Sequence, residues 1–283
     1  MVGTLMNHAC MNLLVKSLLL WSLAVSSLCA QKIELPTRGL CAHRGCMDTH
    51  PENTIPAFQR AIQLGAHMIE FDVQFTRDSA LVIIHDETVD RTTNGSGRVA
   101  DLTLADIRQL DAGVKKGRPH TRIPTLEETL AIMPRNVWLN CHLKGGAEVG
   151  RAVARYLVTT DRLHQTFLAC SQDAARGARA VHPSILICNS DGRNRTDNQA
   201  YARATVDQKA HFIQLLSESS AGRPAALALL KQHGIRINYF YAKTPDQLAG
   251  LWQAGADFIL VNELETFQDA TRQAGIMPWK PQF

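Results

Sequence analysis

Short, nearly uninterrupted apolar runs recur along the chain from residue 39 onward, and amphipathic segments separate many of them. Parallel strands that are covered by helices on both faces carry runs of this kind. The Pro-Glu-Asn-Thr sequence at Pro51 opens a helix with an apolar stripe, and capping boxes start at Thr125 and Thr244. The pattern predicts nine strands, at residues 39–43, 67–76, 80–85, 137–143, 166–170, 185–188, 211–215, 235–241 and 256–261.

Strand–helix alternation over this length predicts an α/β fold, either a doubly wound sheet or a (β/α)8 barrel. The chain has neither a GxGxxG nor a GxxxxGK[ST] loop, which weighs against the nucleotide-binding sheet. We therefore predict a TIM-type (β/α)8 barrel. Nine strands are one too many for it, and 211–215 is the weakest of them. Residues 86–124 are polar and form a small insertion after the third strand, beside the active-site mouth.

The first thirty residues differ in composition from the rest of the chain. Lys16 is the only charged residue before Lys32, and an apolar stretch is followed by small residues up to Ala30. This succession is typical of an export signal. We predict a signal peptide over 1–30, one barrel domain over 31–283, and a periplasmic or secreted protein. Of the cysteines that remain, most lie in apolar strand candidates, which favours a buried hydrophobic role, although a disulfide stays open.

The composition changes this picture little. The 283 residues are 45% hydrophobic and 20% charged, which suits one large globular domain. The net charge of +4 comes from scattered lysines and arginines, so no nucleic-acid partner is indicated. No long apolar loop or basic amphipathic helix favours stable membrane insertion. The oligomeric state stays open.

Polar side chains stand near the ends of the first four predicted strands, where a parallel barrel places its catalytic groups. Glu70 and Asp72 are two residues apart, so both carboxylates face one side of their strand while Phe71 faces the other. Two buried anions repel each other, and a hard divalent cation resolves that repulsion. Salt bridges to arginine or lysine are the alternative.

Two histidines, His43 and His85, each end a predicted strand beside a charged residue. Such a pair suits proton transfer near neutral pH, whereas either histidine alone would be interpreted as a structural residue.

Two cations accompany these groups. Arg44 offers a forked, permanent charge for phosphate oxygens, and Lys144 adds a point charge after the fourth strand. The alternative is that Arg44 pairs with Glu52 or Asp48, and that Lys144 neutralises the acidic pair.

Several ordered motifs between Leu40 and Leu130 resemble the signature of the glycerophosphodiester phosphodiesterase family. Their shared order is far harder to obtain by chance than any one of them. They are His43-Arg44-Gly45, Pro51-Glu52-Asn53-Thr54, Ile69-Glu70-Phe71-Asp72-Val73, His85-Asp86, Asp90-Arg91-Thr92-Thr93-Asn94-Gly95-Ser96-Gly97 and Ile123-Pro124-Thr125-Leu126-Glu127-Glu128.

The resemblance implies a metal-dependent phosphoric diester hydrolase that converts glycerophosphodiesters to glycerol 3-phosphate and an alcohol. It implies that His43 and His85 are the acid–base pair, that Arg44 contacts the phosphate, and that Glu70 and Asp72 bind one divalent ion, calcium or magnesium in the family. The partner is then a small-molecule phosphodiester. Which histidine is the acid stays open.

The chain departs from the family pattern on the fourth strand. The family usually reads like Asn-Ile-Glu-Ile-Lys there, and its Glu is a third metal ligand. This chain has Asn140-Cys141-His142-Leu143-Lys144. We predict that His142 is a ligand, which favours manganese or zinc, and the alternative is a weakly held metal.

A second departure lies near the C-terminus, where the family has Trp-Thr-Val-Asn-like and Thr-Asp-x-Pro segments. This chain has Asn238-Tyr239-Phe240-Tyr241-Ala242 and Val261-Asn262-Glu263-Leu264, so we expect Tyr239 or Tyr241 to supply the aromatic wall. We expect the alcohol end to be contacted differently, so a phospholipase-type or other phosphodiesterase acting on a non-glycerol headgroup stays open. The His142 replacement leaves a second alternative, a non-catalytic phosphodiester-binding barrel.

Overall fold

The computed structural model describes residues 33–190, 195–216 and 222–283. The predicted export signal over 1–30 lies outside the described residues and stays a prediction. Residues Leu35–Phe283 form one compact unit. No helix in the described ranges is long and apolar enough to cross a membrane.

Eight parallel strands close into a barrel in the order β1-β2-β4-β5-β6-β7-β8-β9, and β9 pairs with β1 again. The predicted TIM-type (β/α)8 barrel is therefore confirmed. The nine strands of the described residues are β1 Gly39–Ala42, β2 Met68–Phe75, β3 Leu81–Ile83, β4 Trp138–Leu143, β5 Thr166–Cys170, β6 Leu186–Asn189, β7 Phe212–Leu216, β8 Arg236–Phe240 and β9 Phe258–Val261.

The strand outside the barrel is β3, and the expectation that 211–215 was the surplus one is wrong. β3 pairs antiparallel with the end of β2, in the register Val73↔Ile83 and Phe75↔Leu81. The connection between them is a tight turn, and a parallel neighbour needs a crossover of about a dozen residues or more. The insertion therefore begins with β3, and it has a small apolar core of its own, made of Val82, Ile84, Val89, Val99, Ile107, Ala112 and Ile123.

Helices cover the outside of the barrel. The capping box predicted at Thr125 is present, whereas at Thr244 only half of one forms, because its N–H donates to the Gln247 side chain but the helix begins at Gln247. The helices of the described residues are α1 Ile55–Gln63, α2 Leu104–Ile107, α3 Leu126–Ile132, α4 Ala147–Thr159, α5 Gln172–Val181, α6 Asn198–Asp207, α7 Arg223–Gln232, α8 Gln247–Gln253 and α9 Leu264–Gln273.

The barrel interior is apolar toward the strand N-termini. Phe167 and Phe212 stack with their centroids 4.0 Å apart, and Trp138 packs edge-on against Phe212. This cluster is separate from the main core, which the strands share with the helices. The buried role predicted for the cysteines is confirmed, because all those in the described residues are free and buried, namely Cys41, Cys46, Cys141, Cys170 and Cys188.

His67 joins the start of β2 to the C-terminal segment. Its Nδ1 accepts the Leu40 N–H at 3.3 Å, and its Nε2 donates to the Met277 carbonyl at 3.0 Å. The ring is in such close contact with Gly39 that a Cβ there would lie 2.2 Å from it. Burial lowers the pKa of His67 from 6.5 to about 4, although the bond to Met277 opposes the shift.

We expect acid to destabilise the protein through His67. Above pH 6.5 the ring is neutral in both states, and between pH 6.5 and 4 only the unfolded chain takes up the proton. The folded state therefore loses about 2 kcal/mol of stability by pH 5 and about 3 kcal/mol by pH 4 from this group. Denaturant unfolding at pH 7 and pH 5 measures the difference. In His67→Gln the difference in unfolding free energy between pH 7 and pH 5 should be smaller by about 2 kcal/mol. An unchanged difference would show that His67 is not the source of the acid sensitivity. The exposed His233→Gln is the matched control.

Candidate active site

The two carboxylates predicted to share a face do so. Glu70 and Asp72 pair with Asn140 and His142 on β4, so these four side chains face the barrel interior while Phe71 belongs to the outer core. The exposed fraction is 2% for Glu70 and 0% for Asp72. Two buried carboxylates need compensating positive charge, and Arg44, His142 and Lys144 lie close enough to supply it.

Three side chains at this position could together hold a metal ion. One ligand atom each from Glu70, Asp72 and His142 lies within 4.8 Å of the others. The Nδ1 of His142 is 3.1 Å from Asp72 Oδ1 and 3.7 Å from Glu70 Oε1. The structure therefore brings together the three residues that the sequence predicted as ligands.

Asp72 is the most constrained of the three. Its Oδ2 accepts a hydrogen bond from Asn53 Nδ2 at 2.9 Å. Its buried Oδ1 has no hydrogen-bond partner among the described residues, although His142 Nδ1 and Lys144 Nζ both lie 3.1 Å away. Burial raises the pKa of Asp72, but His142 and Lys144 outweigh it and hold that pKa well below its usual range. The carboxylate is therefore ionised, with one oxygen available to a cation.

The charge of His142 depends on the same two acids. Burial opposes the charged ring, yet the carboxylates of Asp72 and Glu70 raise the pKa of His142 above its ordinary value. His142, which stands where the family has a glutamate, is therefore stabilised in its protonated form by both carboxylates. A divalent ion would replace the proton in that role, since metal ligands bind in their deprotonated form.

His43 lies at the rim of this cluster, directly after β1. Its Nδ1 is 2.6 Å from Asn262 Oδ1, and its Nε2 is 3.9 Å from Glu70 Oε2. With the Asn262 oxygen as acceptor, the ring proton sits on Nδ1 and Nε2 remains for proton transfer. Burial lowers the pKa of His43, against the opposing effect of Glu70, so the neutral form prevails at pH 7.

An aromatic ring lies beside His43, and it is neither of the predicted tyrosines. Phe240 packs edge-on against the His43 ring with the centroids 5.3 Å apart. Tyr239 points the other way and joins the outer core. The alternation of side chains along β8 decides this, because Phe240 has the same parity as Asn238 and Arg236, whose guanidinium lies over the ring of Trp138 in the barrel interior.

The loop after β1 holds Arg44 across both acids. Its backbone N–H donates to Glu70 Oε2 at 2.9 Å, and its Nε is 3.5 Å from Asp72 Oδ2. Arg44 and Asn53 have positive φ angles of 53° and 57°, a rare conformation that clusters at functional sites. Gly45, with φ of 81°, approaches α1 so closely that a Cβ would lie 2.8 Å from the Ala57 backbone.

His85 reaches the site by a different route from the one expected. The sequence placed it at the end of a parallel strand, whereas it follows β3, which runs antiparallel to β2. The backbone bond from Ile84 N–H to the Asp72 carbonyl brings it beside the acids, and His85 contributes to lowering the pKa of Asp72. Its Nδ1 is 2.6 Å from Asp86 Oδ1, so here too Nε2 remains free for proton transfer.

A network of ion pairs joins Arg44 and Arg91, and so connects the loop that carries His43 with the loop that carries His85. Arg91, from the insertion, donates to Asp86 Oδ2 at 2.6 Å and to both Glu52 oxygens at 2.7 Å. Glu52 in turn accepts from Arg44 Nη1 at 2.6 Å. The predicted alternatives are thus realised as contacts, since Arg44 pairs with Glu52 and Lys144 with Asp72.

Four residues of the site escaped the sequence prediction in this role, namely Asn53, Arg91, Phe240 and Asn262. Asn53 and Arg91 belong to two of the family motifs, so those motifs could have identified them as site residues. For Phe240 the period-two alternation along β8 was sufficient to prefer it over its neighbours. Asn262 follows β9 as His43 follows β1, and only the closure of the barrel makes them neighbours.

Comparison with known proteins agrees with this geometry. The model of the glycerophosphoryl diester phosphodiesterase family matches residues 43–266. The chain belongs to that family. A glycerophosphodiester phosphodiesterase of Caldanaerobacter subterraneus subsp. tengcongensis is 32% identical over 244 residues, which span 83% of this chain and 98% of the relative. The family's members are phosphoric diester hydrolases, and the predicted resemblance is confirmed.

Solved structures of glycerophosphodiester phosphodiesterases share the barrel. The crystal structure from Agrobacterium tumefaciens superposes with a TM-score of 0.72 at 25% identity and covers 81% of this chain and 99% of its own. An Oleispira antarctica phosphodiesterase in complex with the product sn-glycerol-3-phosphate also has a TM-score of 0.72, at 24% identity, and covers 83% of this chain and 96% of its own.

Proposed function

We propose that this chain hydrolyses glycerophosphodiesters to glycerol 3-phosphate and an alcohol, with His43 and His85 as the acid–base pair. Family membership and the near-complete coverage of the Caldanaerobacter relative support the reaction class. The observation that carries the proposal is the shared geometry of the histidines. Each has Nδ1 held by an oxygen, from Asn262 or Asp86, which leaves Nε2 for proton transfer.

A divalent ion fits the site. Asp72 Oδ1, which accepts no hydrogen bond from the described residues, forms with Glu70 and His142 a donor set of two carboxylates and one imidazole. These three residues would hold the ion, which supplies Lewis-acid stabilisation of the negative charge on the phosphoryl oxygens. The imidazole favours manganese or zinc relative to an all-oxygen site.

The chain's own cations supply the remaining positive charge. Arg44 and Lys144 are half-enclosed, with side chains 13% and 24% exposed, and each lies within 3.5 Å of Asp72. Preorganised cations in a desolvated site stabilise an anionic transition state without reorganisation. Arg44 and Lys144 thereby position the substrate phosphate above the acids.

Proton transfer then falls to the two histidines. One takes the proton of the attacking hydroxyl, and the other donates a proton to the leaving oxygen. The Asn262 and Asp86 oxygens orient the rings, and Arg91 fixes Asp86 with two hydrogen bonds at 2.6 and 3.0 Å. Arg91 of the insertion therefore orients His85 through Asp86.

The first experiment is release of glycerol 3-phosphate from glycerophosphocholine by the purified protein. Chelation is expected to lower the rate at least about 100-fold, and single addition of calcium, magnesium, manganese or zinc is expected to restore it, because the ion supplies several kcal/mol of stabilisation. An undiminished rate after chelation would contradict the metal requirement. If folded protein releases no glycerol 3-phosphate with any of these ions, the result would favour a substrate with a different headgroup or a non-catalytic binding protein.

His142→Glu is expected to change the preferred ion. A third carboxylate makes the ligand set harder, so the ratio of the magnesium-supported rate to the zinc-supported rate should rise at least about tenfold. Steady-state rates at saturating concentrations of each ion measure it. His164→Glu is a matched control, since that histidine lies on the N-terminal side of β5 and bonds to the Arg135 carbonyl. Equal ratios in the native protein and in His142→Glu would remove His142 from the ligand set.

A further inference from the structure

A second cavity lies outside the barrel, between the insertion and two helices. It has a volume of about 460 Å³, within the range of roughly 300–1,000 Å³ that is typical of small-molecule sites. Its apolar lining, which we call the floor, comes from the start of α1, the end of the insertion and α3, and its polar lining is called the rim. The floor consists of Ile55, Pro56, Pro124, Ala131 and Ile132. It shares no lining residue with the smaller cavity beside His85.

The rim of this cleft carries unbalanced positive charge. Arg108 and Glu128 line it and neutralise each other, with Arg108 Nη2 2.6 Å from Glu128 Oε1. Arg122 lines it as well, is exposed, and has no ion-pair partner in the described part of the chain. His120 stands beside it with an exposed side chain. Glu128, the acid of the rim, is therefore already paired with Arg108, and Arg122 is available to a ligand.

The surroundings strengthen that charge. The segment 114–122 contains Lys115, Lys116, Arg118 and Arg122 and no acidic residue, and all four are exposed. Arg118 donates to the Thr49 carbonyl at 2.7 Å, which ties the segment to the loop after β1.

We propose that this cleft binds a single-chain anionic amphiphile, with the apolar chain on the floor and the anionic head at Arg122. An open apolar cavity of this size gains about 25 cal/mol per Å² when a chain displaces water from it. Arg122 favours an anionic head group, because an anion gains an ion pair there that a neutral head does not, and a cationic head is repelled. A carboxylate and a phosphate head share this chemistry.

The cleft adjoins segments that lead into the proposed active site. Ile55 follows the Glu52-Asn53 motif, and the Pro124 carbonyl accepts a backbone bond from Ile83, two residues before His85. An occupant would therefore contact the helix start that follows Asn53 and a residue that is bonded to the strand before His85. This is a binding site in addition to the proposed reaction, and it does not depend on it.

Isothermal titration calorimetry tests the proposal with sodium decanoate and with decyl phosphate, each below its micelle concentration. Saturating glycerol 3-phosphate is present throughout, so that the phosphate site is occupied. We expect saturable binding of one amphiphile per chain, at least tenfold weaker binding to Ala131→Phe, which fills the floor, and at least fivefold weaker binding to Arg122→Gln. The two probes show whether a carboxylate or a phosphate head binds better.

Matched variants separate these effects from general adsorption. Ala225→Phe and Arg155→Gln alter exposed positions on α7 and α4 and should bind as the native chain does. Decanol should bind at least fivefold more weakly than decanoate to the native chain, and this difference should disappear in Arg122→Gln. Absence of saturable binding, or equal affinity in Ala131→Phe, would overturn the cleft as the site. Equal affinity of decanol and decanoate for the native chain would overturn the anionic head.

Discussion

Replacing either His43 or His85 by alanine is expected to lower kcat on glycerophosphocholine by about 100-fold or more while the barrel stays folded. Each ring is oriented through Nδ1 and keeps Nε2 for proton transfer, so the substitution removes a proton carrier. Because the substrate phosphate is held by other groups, KM should change much less than kcat. Steady-state kinetics with the preferred ion, together with thermal melting, measure both effects.

A third histidine provides the control for this pair. His233 is exposed at the end of α7, far along the chain from both loops, and His233→Ala should retain the native rate. Loss of activity in His43→Ala with an unchanged melting temperature would support a chemical role. Unchanged rates in both His43→Ala and His85→Ala would sink the proposed mechanism while leaving the family and the fold intact.

Asp72→Asn is expected to abolish tight metal binding and to lower kcat/KM by at least about 100-fold. Asparagine keeps the shape and can still bond to Asn53, but it removes the charge that faces His142 and Lys144. Without that anion the charges of Arg44 and Lys144 repel a divalent ion, which therefore loses both a ligand and its electrostatic attraction. Calorimetric titration with manganese and initial rates measure the two losses.

Asp207→Asn is the matched substitution, since Asp207 is exposed at the end of α6. It should leave metal affinity and rate unchanged. If Asp72→Asn unfolds the protein, Glu70→Gln tests the same ligand set, because the Arg44 N–H can still donate to the remaining oxygen. Native metal affinity in a folded Asp72→Asn or Glu70→Gln variant would remove the acids from the metal site.

The parallel strands were predictable because their causes are local. Short, nearly continuous apolar runs such as those of β5 and β9 are typical of strands covered on both faces, and the pattern marks all nine strands of the described residues within a few positions. The Glu70-Phe71-Asp72 spacing likewise determines which side chains share a face. Motif order carried the family identification, which the match over residues 43–266 confirms.

Other features depend on contacts that no local pattern contains. β3 looks like any short strand in sequence, and only its pairing with the end of β2 shows that it runs antiparallel and belongs to the insertion. The link from Arg91 to Glu52 spans 39 positions and that from His43 to Asn262 spans 219. Such pairs are decided by loop folding and by barrel closure.

The sequence by itself determined the strands, the family, and the identities of the acids, histidines and cations, because each follows from a spacing of a few residues or from an ordered motif. Tertiary structure alone decided which strand stood outside the barrel, that Phe240 and not a tyrosine packs against His43, and that Arg44 and Lys144 both lie against Asp72. It also formed the cleft between the insertion and α3. The physical reason is that these outcomes depend on which distant segments meet when the barrel closes, and periodicity along one strand carries no information about its neighbours.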